Sequence, residues 1–183
     1  MPRWSAFSSK GIDATTIEQI RETSGASHGS IYHYFGSKEA IALALYVEGM
    51  HEYQQCVFDR LGKETAAEPG LRALITAHLE WTMGHPGRAL YLTRVGMAEV
   101  SDEAATQIAE VNQEFFRAIH AWLRPYVERG EVITAPAALY VPLILGPTAH
   151  FARHWLAHRL ALDIDDVIGT LARAAWQSIR KEI

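Results

Sequence analysis

Apolar residues recur along the chain at three- and four-residue intervals, the spacing that lines one face of an α-helix. No segment alternates cleanly with the two-residue period of a half-buried strand. Breakers and capping residues divide the pattern. Gly11 follows a short apolar stub running from Trp4 to Phe7. Thr15 or Thr16 can cap a short helix carrying Ile17 and Ile20, which Gly25 ends. Ser27 starts a second short helix with Ile31, Tyr32 and Phe35, broken by Gly36-Ser37. Ser37 then caps a long helix from Lys38 to about Leu61. Glu68-Pro69 opens another helix to about Gly84, with the proline suited to a first turn. After the turn His85-Pro86-Gly87, a shorter helix extends to about Val100. Ser101-Asp102 caps a helix reaching Gly130, and Pro136 opens the next, to about Leu160. Asp163 or Asp165 caps the last helix, which ends near Arg180. The pattern predicts an all-α protein in which two short helices and a tight turn precede a set of longer ones.

Composition adds exclusions. The 183 residues are 49% apolar and 21% charged, values of a soluble globular chain. Cys56 is the single cysteine, so an intramolecular disulfide, a cysteine zinc cluster and a CxxC redox pair are excluded. No run of about 18 uncharged apolar residues is present, so no membrane span is expected, and a reduced cytoplasmic setting is the default. The net charge of −4 is not that of a nonspecific nucleic-acid coat. It is unevenly spread. Residues 1–46 balance four basic against four acidic side chains, whereas residues 47–183 hold thirteen and seventeen.

Residues 15–35 carry the most information. A helix ending at Thr23, a turn of Ser24-Gly25-Ala26 and a helix from Ser27 form a helix-turn-helix, with Ile17 and Ile20 packing on Ile31 and Phe35. Gly25 supplies the turn at least steric cost. The outer face of the second helix then presents Ser27, His28, Gly29, Ser30, Tyr32, His33 and Tyr34. These are slim hydroxyl, imidazole and phenol donors suited to phosphate oxygens and base edges in a major groove. Lys38 opens the following helix, where its ammonium adds to the helix dipole at a phosphate.

The spacing of Ala14-Thr15-Thr16, of Gly25-Ala26-Ser27 and of Tyr32-His33-Tyr34-Phe35-Gly36-Ser37-Lys38-Glu39 resembles the DNA-binding segment of TetR/AcrR-type transcriptional repressors. The resemblance covers residues 7–45. It implies a homodimer whose C-terminal helices bind a small ligand and whose paired recognition helices leave double-stranded operator DNA when the ligand binds. Carried onto this sequence, it implies that Thr16 contacts phosphate, that Ser27, His28 and Gly29 meet the groove, and that Tyr32, His33 and Lys38 clamp the backbone. Only six residues precede Phe7, where the family has a full helix. The first helix is therefore expected to be truncated here, with the native start upstream of Met1.

Within residues 47–183 the aromatics are dense: Phe58, Trp81, Tyr91, Phe115, Phe116, Trp122, Tyr126 and Tyr140. Ordinary core packing fits most of them. Trp81 with Met83, and Phe115 with Phe116, put large groups on more than one helix face, which suits a cavity for a small apolar or aromatic effector. The expected lining is Trp81, Phe115, Ile119 and Trp122, with His78 and His120 as polar tethers. His150, His154 and His158 recur at i, i+4 and i+8. An i, i+4 pair can hold zinc, but no acid on that helix completes a site, so a subunit contact is the expectation. Glu48 and His51 form a single Glu-x-x-His where a di-iron bundle needs two. Neither a metal nor a cofactor is expected. Two apolar stripes on the last two helices suggest a four-helix dimer interface. Pro142 and Gly146-Pro147 are expected to kink the penultimate helix.

No nucleophile–base pair, phosphate loop or carboxylate pair stands at a diagnostic spacing, so an enzyme is not expected. The reading is a helix-turn-helix DNA-binding domain over 1–46 and a ligand-binding and dimerisation bundle over 47–183. Together they would form a ligand-responsive repressor acting as a homodimer on a palindromic operator. The alternative is a dimeric small-molecule- or protein-binding helical protein that has lost DNA binding.

Overall fold

The structure, a computed structural model, describes residues 37–96, 100–158 and 160–182. Six helices account for most of them: α1 (Lys38–Leu61), α2 (Ala67–Gly84), α3 (Pro86–Val95), α4 (Asp102–Glu128), α5 (Ala137–His158) and α6 (Ile164–Ile179). The expected helix-turn-helix over 16–35 lies outside the described residues, as do the side chains of Thr16, Ser27, His28, Gly29, Tyr32, His33 and Lys38.

Local chemistry sets several of the helix ends. Ser37 has extended backbone angles, and its Oγ accepts from the Ala40 N–H at 3.1 Å. Ser101 accepts from Ala104 in the same way. Of the two aspartates considered for the last helix, Asp163 is the cap, its carboxylate accepting from the N–H groups of Asp165 and Asp166. Each such cap satisfies a backbone donor that the helix itself leaves unpaired, typically for about 1 kcal/mol. α3 stops at Val95, short of the expected Val100, where the Gly96 N–H turns back to the Leu92 carbonyl. Beyond α4, Gly130 takes φ +75°, a left-handed conformation that glycine adopts without strain.

α2 is the centre of the molecule. It packs against α1, α3, α5 and α6. Leu71, Leu74, Ile75, Ala77 and Leu79 are at most 1% exposed, and together they surround much of its circumference. A helix apolar on so many sides must be enclosed by others. Burying each of its large aliphatic side chains contributes on the order of 1.5–3 kcal/mol. α4, by contrast, buries a narrow stripe of Ile108, Val111, Phe115, Ile119, Leu123 and Tyr126 against α1 and α5. Its outer face leaves Phe116 40% exposed.

α5 is continuous through Pro142 and Pro147. Pro147 has no N–H for the Leu143 carbonyl. The Ser178 hydroxyl of α6 reaches that carbonyl at 3.3 Å while also donating to Ala175. Gly169, Ala172 and Ala175 are buried on α6, which packs against both α2 and α5, and the Gly169 position faces the Arg72 guanidinium of α2. The segment between α4 and α5 is tied to the C-terminus by Ile133 N–H donating to Ile179 and Lys181 N–H donating to Glu131. Tyr140 closes the same corner, donating to the Ile133 carbonyl and accepting from the Ala135 N–H.

Gly70, in the first turns of α2, lies directly beneath the indole of Trp122, where a Cβ would collide with the ring. Trp122 is held in place against Tyr126 at 5.0 Å between ring centroids. Gly70→Ala is expected to destabilise the fold by about 1–3 kcal/mol despite alanine's better helix propensity. Urea unfolding measures this, and adding Trp122→Leu should recover most of the loss. A Gly70→Ala protein as stable as the parent would show that the indole does not rest there.

Candidate functional site

A cavity of about 190 Å³ opens between α1, α2, α3 and α5. It exists because the facing helices bring small residues to the same level. Ala89 comes from α3, and Ala149 and Ala152 from α5, opposite the bulk of Trp81 on α2. Met50, Leu92 and Leu156 complete an apolar wall. The polar groups are few: Tyr53 on α1, His78 and Thr82 on α2, Thr93 on α3 and Arg153 on α5.

Tyr53 and His78 form a bonded pair. The phenol oxygen lies 2.8 Å from His78 Nδ1, and the rings meet edge-on at 84°. Burial pushes the Tyr53 phenol above its ordinary value. Burial, and secondarily the positive charge of Arg153, pull the His78 imidazole down to about 4. His78 faces the cavity rather than bulk water, so part of its surface is open while its charged form is still penalised. At neutral pH the pair is therefore uncharged and can hydrogen-bond without carrying a charge of its own. Tyr53 also anchors an aromatic cluster, with Trp81 at 5.4 Å and Phe115 at 5.7 Å between centroids.

Of the expected lining residues, the cavity brings together His78 and Trp81. Phe115, Ile119 and Trp122 are outside it. Phe115 stands behind Tyr53 and against Phe58 at 5.7 Å, Ile119 is fully buried, and Trp122 covers Gly70. The physical reason is that α4 contributes no residue to the cavity wall. His120, the other expected tether, pairs with Tyr140 at 5.8 Å between ring centroids. Tyr53 and Arg153 were missed. Tyr53 has a weak signal in its place on the apolar stripe of α1. Arg153 has one in being a lone cation beside small residues on an otherwise apolar helix.

His150, His154 and His158 are exposed on α5, with His154 and His158 4.5 Å apart between ring centroids. His51 lies 4.0 Å from Glu114. Among the described residues no group of three metal-ligating side chains converges. No described helix is long and apolar enough to cross a membrane.

The cavity is coupled to the start of α1. Met50 and Tyr53 lie on α1 itself, about 20 Å along the helix from Lys38. α3, which supplies Ala89, Leu92 and Thr93, also carries Tyr91, whose buried hydroxyl donates to the Ala42 carbonyl at 2.7 Å. Arg88 of α3 forms an ion pair with Glu52 of α1. A change in the cavity's contents thus bears on α1 directly and through α3.

The helical bundle with its apolar cavity is joined through one long helix, α1, to the residues that precede it. Residues 4–45 match the family described as bacterial regulatory proteins, tetR family. It is 31% identical over 114 residues to the HTH-type transcriptional repressor KstR2 of Rhodococcus jostii (strain RHA1), covering 60% of this chain and 53% of that one. It is 22% identical over 122 residues to the fatty acid metabolism regulator protein of Bacillus subtilis (strain 168), covering 67% and 62%. The chain thus spans between half and two thirds of the length of these curated relatives. The fold is shared with the transcriptional regulator FadR from Bacillus subtilis, solved in complex with stearoyl-CoA, at a TM-score of 0.84 and 18% identity over 97% of this chain and 95% of that one. FadR from Bacillus halodurans superposes over the same shares with a TM-score of 0.82 and 19% identity.

The depressed His78 makes the fold acid-sensitive in a defined window. Its folded value lies below the unfolded value of 6.5, so its contribution is complete above 6.5 and is lost as pH falls toward 4. The unfolded chain there binds a proton that the folded one resists, a loss of about 2–3 kcal/mol. Denaturation measured at pH 7 and pH 4 should show a smaller drop for His78→Gln than for the parent by about that amount. Identical drops in the two proteins would remove His78 from the account.

Proposed function

We propose that this protein is a ligand-responsive transcriptional regulator, a repressor that binds a palindromic operator as a homodimer and acts by binding rather than by catalysis. The observation that carries the reading is the tetR-family match over residues 4–45 running directly into α1, the helix whose later turns wall the cavity. Residues 1–46 read the operator and residues 47–183 bind the effector and the second protomer. Thr16 contacts phosphate, Ser27, His28 and Gly29 enter the groove, and Tyr32, His33 and Lys38 hold the backbone. The effector occupies the cavity at Trp81 and His78, with Phe115 packed behind Tyr53 and with Ile119 and Trp122 bracing the bundle around it. The setting is the cytoplasm.

The homodimer reading is supported by the outer faces of α5 and α6. Leu139 is 48% exposed, and Pro142, Gly146, Pro147, His150 and His154 on the same helix and Ala174 on α6 are exposed as well. Such a surface of prolines, small residues and a large aliphatic group suits close helix packing with a second copy. Two recognition helices must then stand about 34–36 Å apart to meet successive major grooves. Effector binding favours a tilt of α1 that changes this spacing. Near-complete switching requires a differential affinity of roughly 5 kcal/mol between the two states.

Titration of the protein onto its own promoter DNA at several salt concentrations tests the reading. Binding should saturate and weaken steeply with salt. His33→Ala with Lys38→Ala should weaken binding uniformly across sequences and reduce the salt slope by about one to two units. Binding that never saturates, or that ignores salt, would end the DNA-binding proposal.

A further inference from the structure

The cavity has an unbalanced charge. Among the described residues its lining includes Arg153 and no carboxylate. Among the described residues, the ion pairs formed by arginines are Arg60–Glu80, Arg88–Glu52, Arg124–Glu128 and Arg129–Glu131, and none involves Arg153. Its guanidinium is close enough to His78 to disfavour protonation of that ring. The neighbouring Tyr53–His78 pair is neutral and offers hydrogen bonding without offsetting the charge. A cavity with one cation at its rim, a neutral polar pair within and apolar walls elsewhere is complementary to an apolar molecule bearing one negative charge. A planar guanidinium matches a carboxylate best, since two parallel N–H donors face two oxygens.

Size narrows the class further. A dry apolar cavity of about 150 Å³ takes benzene. The 190 Å³ here holds one ring, or a branched aliphatic group of similar bulk, together with a short acidic arm.

We propose that the cavity binds a small organic monocarboxylate, with an aryl or branched aliphatic body among Met50, Trp81 and Leu92 and its carboxylate paired with Arg153 beside the Tyr53–His78 pair. This rests on the reading of the cavity as the effector site and names the chemistry of what enters it.

Calorimetric titration of the whole protein at pH 7.5 with 3-phenylpropanoate, isovalerate and benzoate, each beside its neutral amide, tests the assignment. At least one acid should bind more than tenfold tighter than its amide. Arg153→Leu should abolish that preference by weakening the acid alone, and Arg153→Lys should retain part of it. Arg153 is exposed on its outer side, so both variants should fold, which circular dichroism checks. The proposal is overturned by an amide that binds as tightly as its acid, or by an Arg153→Leu protein that keeps the full preference. It is equally overturned if none of the acids binds, or if stearoyl-CoA binds and none of the acids does. Promoter binding separates this from the regulator reading. Acids that fail while DNA is still bound sink the carboxylate alone, whereas acids that bind selectively to a protein unable to bind DNA sink the regulator alone.

Discussion

The constraint on which the rest of the molecule depends is the enclosure of α2. Its apolar residues point in too many directions for one neighbour to cover, so α1, α3, α5 and α6 must all pack on it. That demand explains why α5 and α6 also pack on each other, why α6 buries the small residues Gly169, Ala172 and Ala175, and why the short α3 joins the same core. It also explains why a cavity exists. Trp81 is large, and the α3 and α5 residues brought opposite it include three alanines, so the four helices that meet there cannot fill the space between them. Close packing elsewhere makes such a void stand out, since interiors normally leave few gaps larger than a water molecule.

Electrostatics gives that void a character. Tyr53 and His78 satisfy each other, and the same burial that keeps both neutral leaves Arg153, among the described residues, as the only charged side chain in the lining. The arrangement places a hydrogen-bonding floor and a cationic rim around an apolar body. Mechanically, the cavity shares its walls with α1, the helix into which the tetR-family match over residues 4–45 runs. The Tyr91–Ala42 hydrogen bond and the Arg88–Glu52 ion pair tie α3 to α1 at two levels. A ligand that moves α3 or displaces Tyr53 therefore acts on α1 through contacts already present, without a separate relay.

Much of the helix framework was legible because it depends on neighbours in sequence. Ser37, Ser101 and Asp163 cap helices through hydrogen bonds spanning two or three residues. Pro69 and Pro136 stand at helix starts for the same local reason. The period of buried residues along α4 is visible in the chain itself. The composition of the cavity was not legible in this way. Aromatic density pointed to Phe115 and Trp122, yet these serve as packing behind Tyr53 and over Gly70. Arg153 stands in the chain as an ordinary exposed cation.

The order of the described helices and their apolar stripes were thus determined by the amino-acid sequence alone, as was the spaced pattern that matches the tetR family over residues 4–45, since hydrogen-bonded caps and 3.6-residue periodicity act over short chain distances. Which helix faces meet around the void, and hence that Tyr53, His78 and Arg153 share it while α4 stays behind, was decided only by the tertiary structure. Volume and charge in a cavity are sums over residues from about 50 to 156, and no local pattern encodes a sum taken across four helices.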